Sequence, residues 1–371
     1  MKPKVLVVTG DAGGAAAVAP VVKLLKADGR VELRSAVYRQ AVEVWERNGL
    51  DCEKLSDQLD DKDLFRLGAD ADVLLLGTSV NGVNYERRLG ALFPDRSVAV
   101  LDFWSNIAPR FRAENGQLAL PHRICVMDEA ARDSMIEEGF DFVCLTVTGQ
   151  PAFDRLAEVK SAFLPEEREF IRNKYGVNGR DRLVLFASQP LAEFYARPEL
   201  RDHHPGYDQS TVLKKLLLGL DHLIDQRSLS ISLLVRPHPR ENPTTLAWVS
   251  EHIGPTRVFV GSDEDGIKGA LSADLICGMN TVMLAEACFV GCRVISIQPG
   301  LIGRDMLPTN DLGLSHLVRT DAELNRALEV NLLTPSSLNN VLQSAIKYID
   351  GKAGRRVADE VYRLLSVRKA Q

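Results

Sequence analysis

Short apolar runs alternate with stretches whose apolar residues recur every three or four positions, and the order holds from one end of the chain to the other. Residues 5–8, 32–38, 73–76, 98–101, 123–126 and 144–147 read as strands. Between them, residues 15–26, 40–48, 84–92 and 130–138 read as amphipathic helices. Strands that are apolar throughout, joined by helices with one apolar face, specify a parallel sheet covered on both sides.

The order then restarts. A charged helix at 165–175 leads to a buried strand at 183–187, and strands follow at 230–236, 257–260, 274–277 and 293–297. Helices are expected at 211–225, 244–252, 265–271 and 281–290, with two more, 336–349 and 354–367, at the end. The reading is α/β, with two Rossmann-like parallel-sheet domains and a boundary near residue 160. No short-period repeat or low-complexity segment is visible.

Composition sets limits on this picture. A chain of 371 residues, 45% hydrophobic and 26% charged, has ample core for two domains. Its net charge of -5 lacks the basic surplus of a polyanion binder, so nucleic acid is not an expected partner. No apolar run approaches the roughly 18 residues of a membrane span, and no signal-peptide pattern follows Met1, so a cytoplasmic location is expected. The six cysteines form no C-x-x-C pair and have no nearby histidine ligands, which points to free thiols rather than zinc or disulfides.

In parallel α/β sheets ligands bind beyond the carboxyl ends of strands, so the loops after each strand carry the functional signal. The first loop is Gly10-Asp11-Ala12-Gly13-Gly14. Gly13 and Gly14 admit a close backbone approach, and Asp11 is either a helix cap or a catalytic base. Thr78 and Ser79 in the loop at 77–82, which also holds Asn81, offer hydroxyls to a polyhydroxyl ligand. Asp102 and Trp104, followed by Ser105 and Asn106, are further acceptor-side candidates, with Asp102 the second choice of base. An ordinary N-cap and a core-lid tryptophan are the structural alternatives.

The second half carries the basic chemistry. Ser188-Gln189-Pro190 follows its first strand, and Arg236-Pro237-His238-Pro239-Arg240-Glu241 its second. Two prolines fix the backbone around His238, and two arginines flank it, which suits a phosphate or diphosphate. Gly278, Met279, Asn280 and Thr281 open a helix whose free N–H groups could hold a phosphate, and Glu286 on that helix could take ribose hydroxyls. Asp263-Glu264-Asp265 reads as a helix cap. His203-His204, beside Asp202 and Asp208, is a weak arrangement for a metal, because adjacent histidines rarely converge on one ion. No metal site is assigned.

Over nearly its whole length the element order resembles the GT-B superfamily of nucleotide-sugar enzymes. The stretch from Gly10 to Pro20 resembles the G-T-R-P-E-A-x-K-x-A-P motif of non-hydrolysing UDP-N-acetylglucosamine 2-epimerases, with Ala12 and Ala17 at its arginine and lysine positions. Thr148-Gly149-Gln150-Pro151-Ala152-Phe153-Asp154 resembles that family's T-G-N-x-x-x-D, and Glu286 its helix glutamate. The same two loops also resemble the G-E-A-S-G-D and G-H-P-L-x-D motifs of lipid-A-disaccharide synthase. Ser188-Gln189-Pro190 and Arg236-Pro237-His238-Pro239 look like the Q-P and H-P motifs of bacterial sialyl-, Kdo- and glycerophosphate transferases, in which the histidine contacts donor phosphate.

The resemblance implies two domains facing a cleft, an acceptor domain at 1–160 and a donor domain at 161–350, with a helix at 351–371 crossing back to the first. It implies a glycosyltransferase that moves a sugar from a nucleotide-sugar to a cell-surface glycan or lipid-linked acceptor in polysaccharide biosynthesis. Gln189, Arg236, His238, Arg240, Gly278, Asn280, Thr281 and Glu286 would hold the donor, and Asp11 or Asp102 would be the base. The nucleotide-sugar is substrate; no separate cofactor or metal is implied, and the chain could pair as a homodimer. An epimerase or hydrolase of the same fold, or a sugar-nucleotide-binding protein without activity, are the alternatives.

Overall fold

A computed structural model describes residues 2–80, 82–104, 107–113, 115–179, 181–242, 244–261, 265–334 and 346–369. The chain divides into two compact units, residues 1–155 with 347–371, and residues 156–346. Asn81, Ser105, Asn106, Asp263, Glu264 and most of the helix expected over 336–349 lie outside the described residues.

The first unit is built on one sheet. Its strands are β1 (Lys4–Thr9), β2 (Glu32–Val37), β3 (Glu53–Lys54), β4 (Val73–Leu76), β5 (Ser97–Val100), β6 (Arg123–Val126) and β7 (Leu145–Val147). They lie side by side in the order β3-β2-β1-β4-β5-β6-β7, and every pair is parallel. The twofold period of a strand explains why its runs are apolar throughout. Val5, Val7, Val73, Leu75, Val98 and Val100 face helix Ala12–Asp28 and the final helix Ala353–Lys369, where Val18, Val22, Val357 and Val361 meet them. Leu6, Val8, Leu74, Leu76 and Ala99 face the other way, onto Leu64, Leu67 and Leu89 of helices Asp61–Gly68 and Tyr85–Leu92.

The second unit repeats the plan. Strands β8 (Arg182–Ala187), β9 (Ile231–Arg236), β10 (Arg257–Val260), β11 (Leu275–Gly278), β12 (Val294–Ile297) and β13 (His316–Val318) run parallel in the order β10-β9-β8-β11-β12-β13. Val184, Phe186, Leu233, Val235 and Ile295 pack on Leu216, Leu220, Leu324 and Leu328 of helices Gln209–Arg227 and Asp321–Leu333.

Some elements differ from the sequence expectation. The helix expected over 244–252 is only a 3₁₀ turn, Ala247–Glu251. Asn242 Oδ1 accepts from both the N–H and the hydroxyl of Thr244, and this local turn competes with helix initiation. Strands β3 and β13 and helices Asp61–Gly68 and Asp321–Leu333 were not expected. Both helices begin with reciprocal capping boxes, Asp60 with Asp63 and Thr320 with Glu323, which is a signal the sequence does carry. The six cysteines are free. Burial pushes the thiols of Cys288 and Cys292 up to about 12, so they are inert apolar fillers at neutral pH. Among the described residues no helix is long and apolar enough to cross a membrane.

Candidate functional site

Each sheet reverses its strand order at one place, between β1 and β4 in the first unit and between β8 and β11 in the second. Diverging loops open a crevice at such a point, which makes it the expected ligand position. In both units one side-chain oxygen ties the two diverging loops together. Asp11 Oδ2 accepts from Val80 N–H at 2.8 Å, and Gln189 Oε1 accepts from Asn280 N–H at 3.0 Å.

In the first unit most of the expected ligand groups are engaged by the protein itself. Buried Glu86 accepts from Gly10 N–H at 2.8 Å, Ser79 Oγ at 2.6 Å and the Tyr38 hydroxyl at 2.5 Å. Ser79 Oγ in turn accepts from Asp11 N–H at 3.1 Å, so a carboxylate invisible to motif reading shapes the whole first loop. Burial outweighs these donors and pushes the Glu86 carboxyl above its ordinary range. The glycines serve internal packing. A Cβ on Gly10 would collide with the Tyr38 ring, one on Gly13 with Asp102 Oδ2, and one on Gly14 would sit 2.7 Å from Thr78 O. The close approach expected for a ligand is therefore made by the chain's own neighbours.

Asp102 is likewise committed. Its Oδ1 accepts from Arg110 Nη1 at 2.5 Å and from Thr78 Oγ1 at 2.8 Å, with the two charged side chains only 10% and 6% exposed. Burial raises its carboxyl despite the Arg110 charge. In this arrangement the carboxylate is ion-paired and enclosed, and its Oδ1 holds Arg110 and Thr78 together. Thr78 and Ser79, 2% and 0% exposed, offer no hydroxyl to solvent. Trp104 stacks on Phe153 at 6.2 Å and donates from Nε1 to Asp128 Oδ2 at 2.8 Å. Asp11 remains the carboxylate at the edge of this crevice. It is the N-cap residue of helix Ala12–Asp28 by position, yet its side chain makes no capping bond and reaches across to Val80 instead.

The second unit presents a different balance. In the segment Pro237-His238-Pro239-Arg240 only His238 and Arg240 have backbone N–H groups. Both turn inward: His238 N–H donates to Glu241 Oε2 at 3.0 Å, and Arg240 N–H donates to His238 Nδ1 at 3.1 Å. An N–H can only donate, so Nδ1 is unprotonated and the neutral ring carries its hydrogen on Nε2. Burial and then the Arg240 charge hold the ring below the usual histidine range, which keeps it neutral at pH 7. The loop therefore offers side-chain donors, not backbone, to an anion.

Arg236 ends β9 half-buried. A Cβ on Gly266 would stand 3.7 Å from Arg236 Nε and 3.6 Å from Met283 Cε, so the guanidinium lies beside the first turn of helix Val282–Phe289. That helix start is partly committed. Asn280 N–H is taken by Gln189, and Thr281 Oγ1 caps Met283 N–H at 3.4 Å. Asn280 N–H is thus directed at Gln189, whereas the Thr281 bond uses the hydroxyl oxygen as acceptor and does not use its O–H as donor. Gly278 packs under Leu284 and Ala187 O, and Glu286 lies half-buried on the same helix. Asp265 caps helix Gly266–Ser272 through Ile267 and Lys268 N–H. His204 Nδ1 accepts from Gly206 N–H, and its ring packs on Tyr195. Among the described residues no cluster of three or more His, Cys, Asp or Glu could hold a metal ion.

No protein-family model and no curated protein matches the chain. Solved structures do. The UDP-GlcNAc 2-epimerase of Neisseria meningitidis, bound to UDP-GlcNAc, aligns with a TM-score of 0.64 over 97% of this chain and 100% of its own, at 13% identity. The UDP-GlcNAc 2-epimerase of Methanocaldococcus jannaschii gives 0.63 over 97% and 99%, at 16%. A glycosyltransferase from Rickettsia africae gives 0.57 over 100% and 97%, at 14%. The fold is GT-B. At these identities the likeness is one of fold, and epimerases and glycosyltransferases share it.

Proposed function

We propose that this GT-B chain is a nucleotide-sugar-dependent glycosyltransferase, with the donor phosphate held at the β8/β11 switch point. The observation that carries the reading is the His238 turn: both backbone N–H groups are engaged inside it, Nδ1 is an acceptor, and Nε2–H is left as the donor beside Arg236 and Arg240. As the sugar–phosphate bond breaks, negative charge grows on the leaving phosphate. Arg236, Nε2–H of His238 and the helix start at Val282 would stabilise it with protein groups already in place. Gln189 supports this helix start through Asn280, and Glu286 on the same helix is the group proposed for ribose hydroxyls. Asp11 is the proposed base that takes the acceptor hydroxyl proton, and Trp104 an acceptor platform. The acceptor would be a glycan or lipid-linked sugar.

The test is a panel of UDP-, CMP-, CDP- and GDP-sugars screened by melting temperature, since a ligand that binds the native state stabilises it. Calorimetry with the best nucleotide then compares His238→Ala. A hydrogen bond to a charged phosphate is worth roughly 1.5–3 kcal/mol, or about ten- to a hundredfold in affinity. Unchanged affinity would remove His238 from the site and this reading with it. Epimerisation is the second reading, favoured by the fold likeness to two epimerases. Ala12 and Ala17, where the resembling motif has basic residues, argue against it. Epimerised sugar formed without any acceptor would select it.

A further inference from the structure

We infer that Glu241 is the positioning residue that holds His238 in its donating form. The inference rests on the donor-site reading and adds a residue to it. Glu241 is 8% exposed and sits at the end of the turn it organises. Its Oε2 accepts from His238 N–H at 3.0 Å, and its own N–H donates to His238 O at 2.9 Å. The residue thus holds both the N–H and the C=O of His238. Its other oxygen, Oε1, accepts from Ser188 Oγ at 2.8 Å, which fastens the turn after β9 to the loop after β8. That loop continues into Gln189, the residue tied to Asn280 at the helix start.

One buried carboxylate therefore joins the loops after β8 and β9, and Gln189 carries the connection on to the third loop at Asn280. The chemistry explains why an acid stands here among basic residues. Pro237 and Pro239 cannot donate, so the turn has few hydrogen bonds of its own to define it. A side chain with two acceptor oxygens supplies what the prolines remove. With the turn fixed, Arg240 N–H points at Nδ1 and the ring proton stays on Nε2. With it loosened, the Nδ1 contact is lost and the imidazole is free to exchange tautomers and rotamers, so the donor is no longer set in advance.

The experiment uses the full chain with two substitutions. Glu241→Met keeps the bulk and removes both acceptors. Glu241→Gln keeps one acceptor for His238 N–H and can donate to Ser188 Oγ. Two-bond nitrogen–proton spectra of 15N-labelled histidine report the tautomer, and calorimetry with UDP, CMP, CDP and GDP reports affinity. Wild type and Glu241→Gln are expected to show the Nε2–H form and to bind within about twofold of each other. Glu241→Met is expected to show mixed tautomers and about tenfold weaker binding of whichever nucleotide binds wild type. Glu241→Ala replaces it if the methionine variant does not fold. A wild-type ring protonated on Nδ1 overturns the inference. So does a folded variant lacking the acceptors that keeps both tautomer and affinity. If none of the four nucleotides binds wild type, the donor-site reading fails, while the tautomer still decides the role of Glu241.

Discussion

Asp154 lies seven residues beyond the last strand of the first unit's sheet, and the final helix begins on it. Its Oδ1 accepts from Ala353 N–H at 2.9 Å and its Oδ2 from Gly354 N–H at 2.7 Å. These are unpaired donors at the start of helix Ala353–Lys369, so a residue nearly two hundred positions earlier acts as the helix cap. Replacing Asp154 with alanine strands both N–H groups in a half-buried place. Each bond to a charged acceptor is worth roughly 1.5–3 kcal/mol, and the loss of a cap alone roughly 0.5–2 kcal/mol. Burial offsets part of this, because it outweighs both bonds and raises the Asp154 carboxyl above its usual range. A net loss of about 2 kcal/mol follows, which in a unit of this size lowers Tm by roughly 4–8 °C. Asp154→Asn keeps one acceptor and should lose about half as much. Thermal unfolding gives the total, and amide exchange at Val357 and Val361 locates it. Exchange there should quicken in Asp154→Ala while the β1 and β4 amides stay protected. A variant that melts within about 1 °C of wild type, with unchanged exchange in the final helix, would refute the capping argument.

Two further outcomes test the first unit. Asp11→Asn keeps an oxygen for Val80 N–H, so it should fold normally and bind nucleotide as wild type, yet transfer sugar at least about a hundredfold more slowly; near-normal turnover measured by product formation would deny Asp11 the role of base. Glu86 titrates above the ordinary 4.5 in the folded protein, so wild-type stability should fall as pH rises from that value through the raised one. Glu86→Gln has no such charge, and urea unfolding from about pH 4 to 8 should show the difference between the two moving in its favour; a difference independent of pH contradicts the buried-carboxylate reading.

The architecture was legible because its causes are local. The apolar runs at 73–76 and 98–101 match β4 and β5 closely, since a strand buried on both faces needs an unbroken apolar stretch. Strands β3 and β13 escaped because two or three residues at a sheet edge carry no period. The loops after the strands were legible in position but not in partner. Glu86 looked like any helix glutamate, and its three donors come from β1, β2 and β4 loops that only the fold brings together. Asp102 looked available because Arg110 stands eight residues on, in a short helix the pattern does not announce. Asp154 belonged to a recognised motif, but its role depends on a helix from the far end of the chain.

The balance of acidic and basic side chains at each switch point separates the two units. At the first, Asp11, Glu86 and Asp102 converge, and the Arg110 guanidinium is paired with one of them. An anionic phosphate brought there would meet more acids than bases, in a place where burial already lifts two of the carboxyls. At the second, Arg236 and Arg240 flank a neutral histidine whose tautomer is fixed, and the nearby acid, Glu241, faces inward onto Ser188 and the His238 backbone. Under the proposed function, the basic side chains of the second switch point would meet the donor phosphate, and Asp11 at the first would receive the acceptor proton.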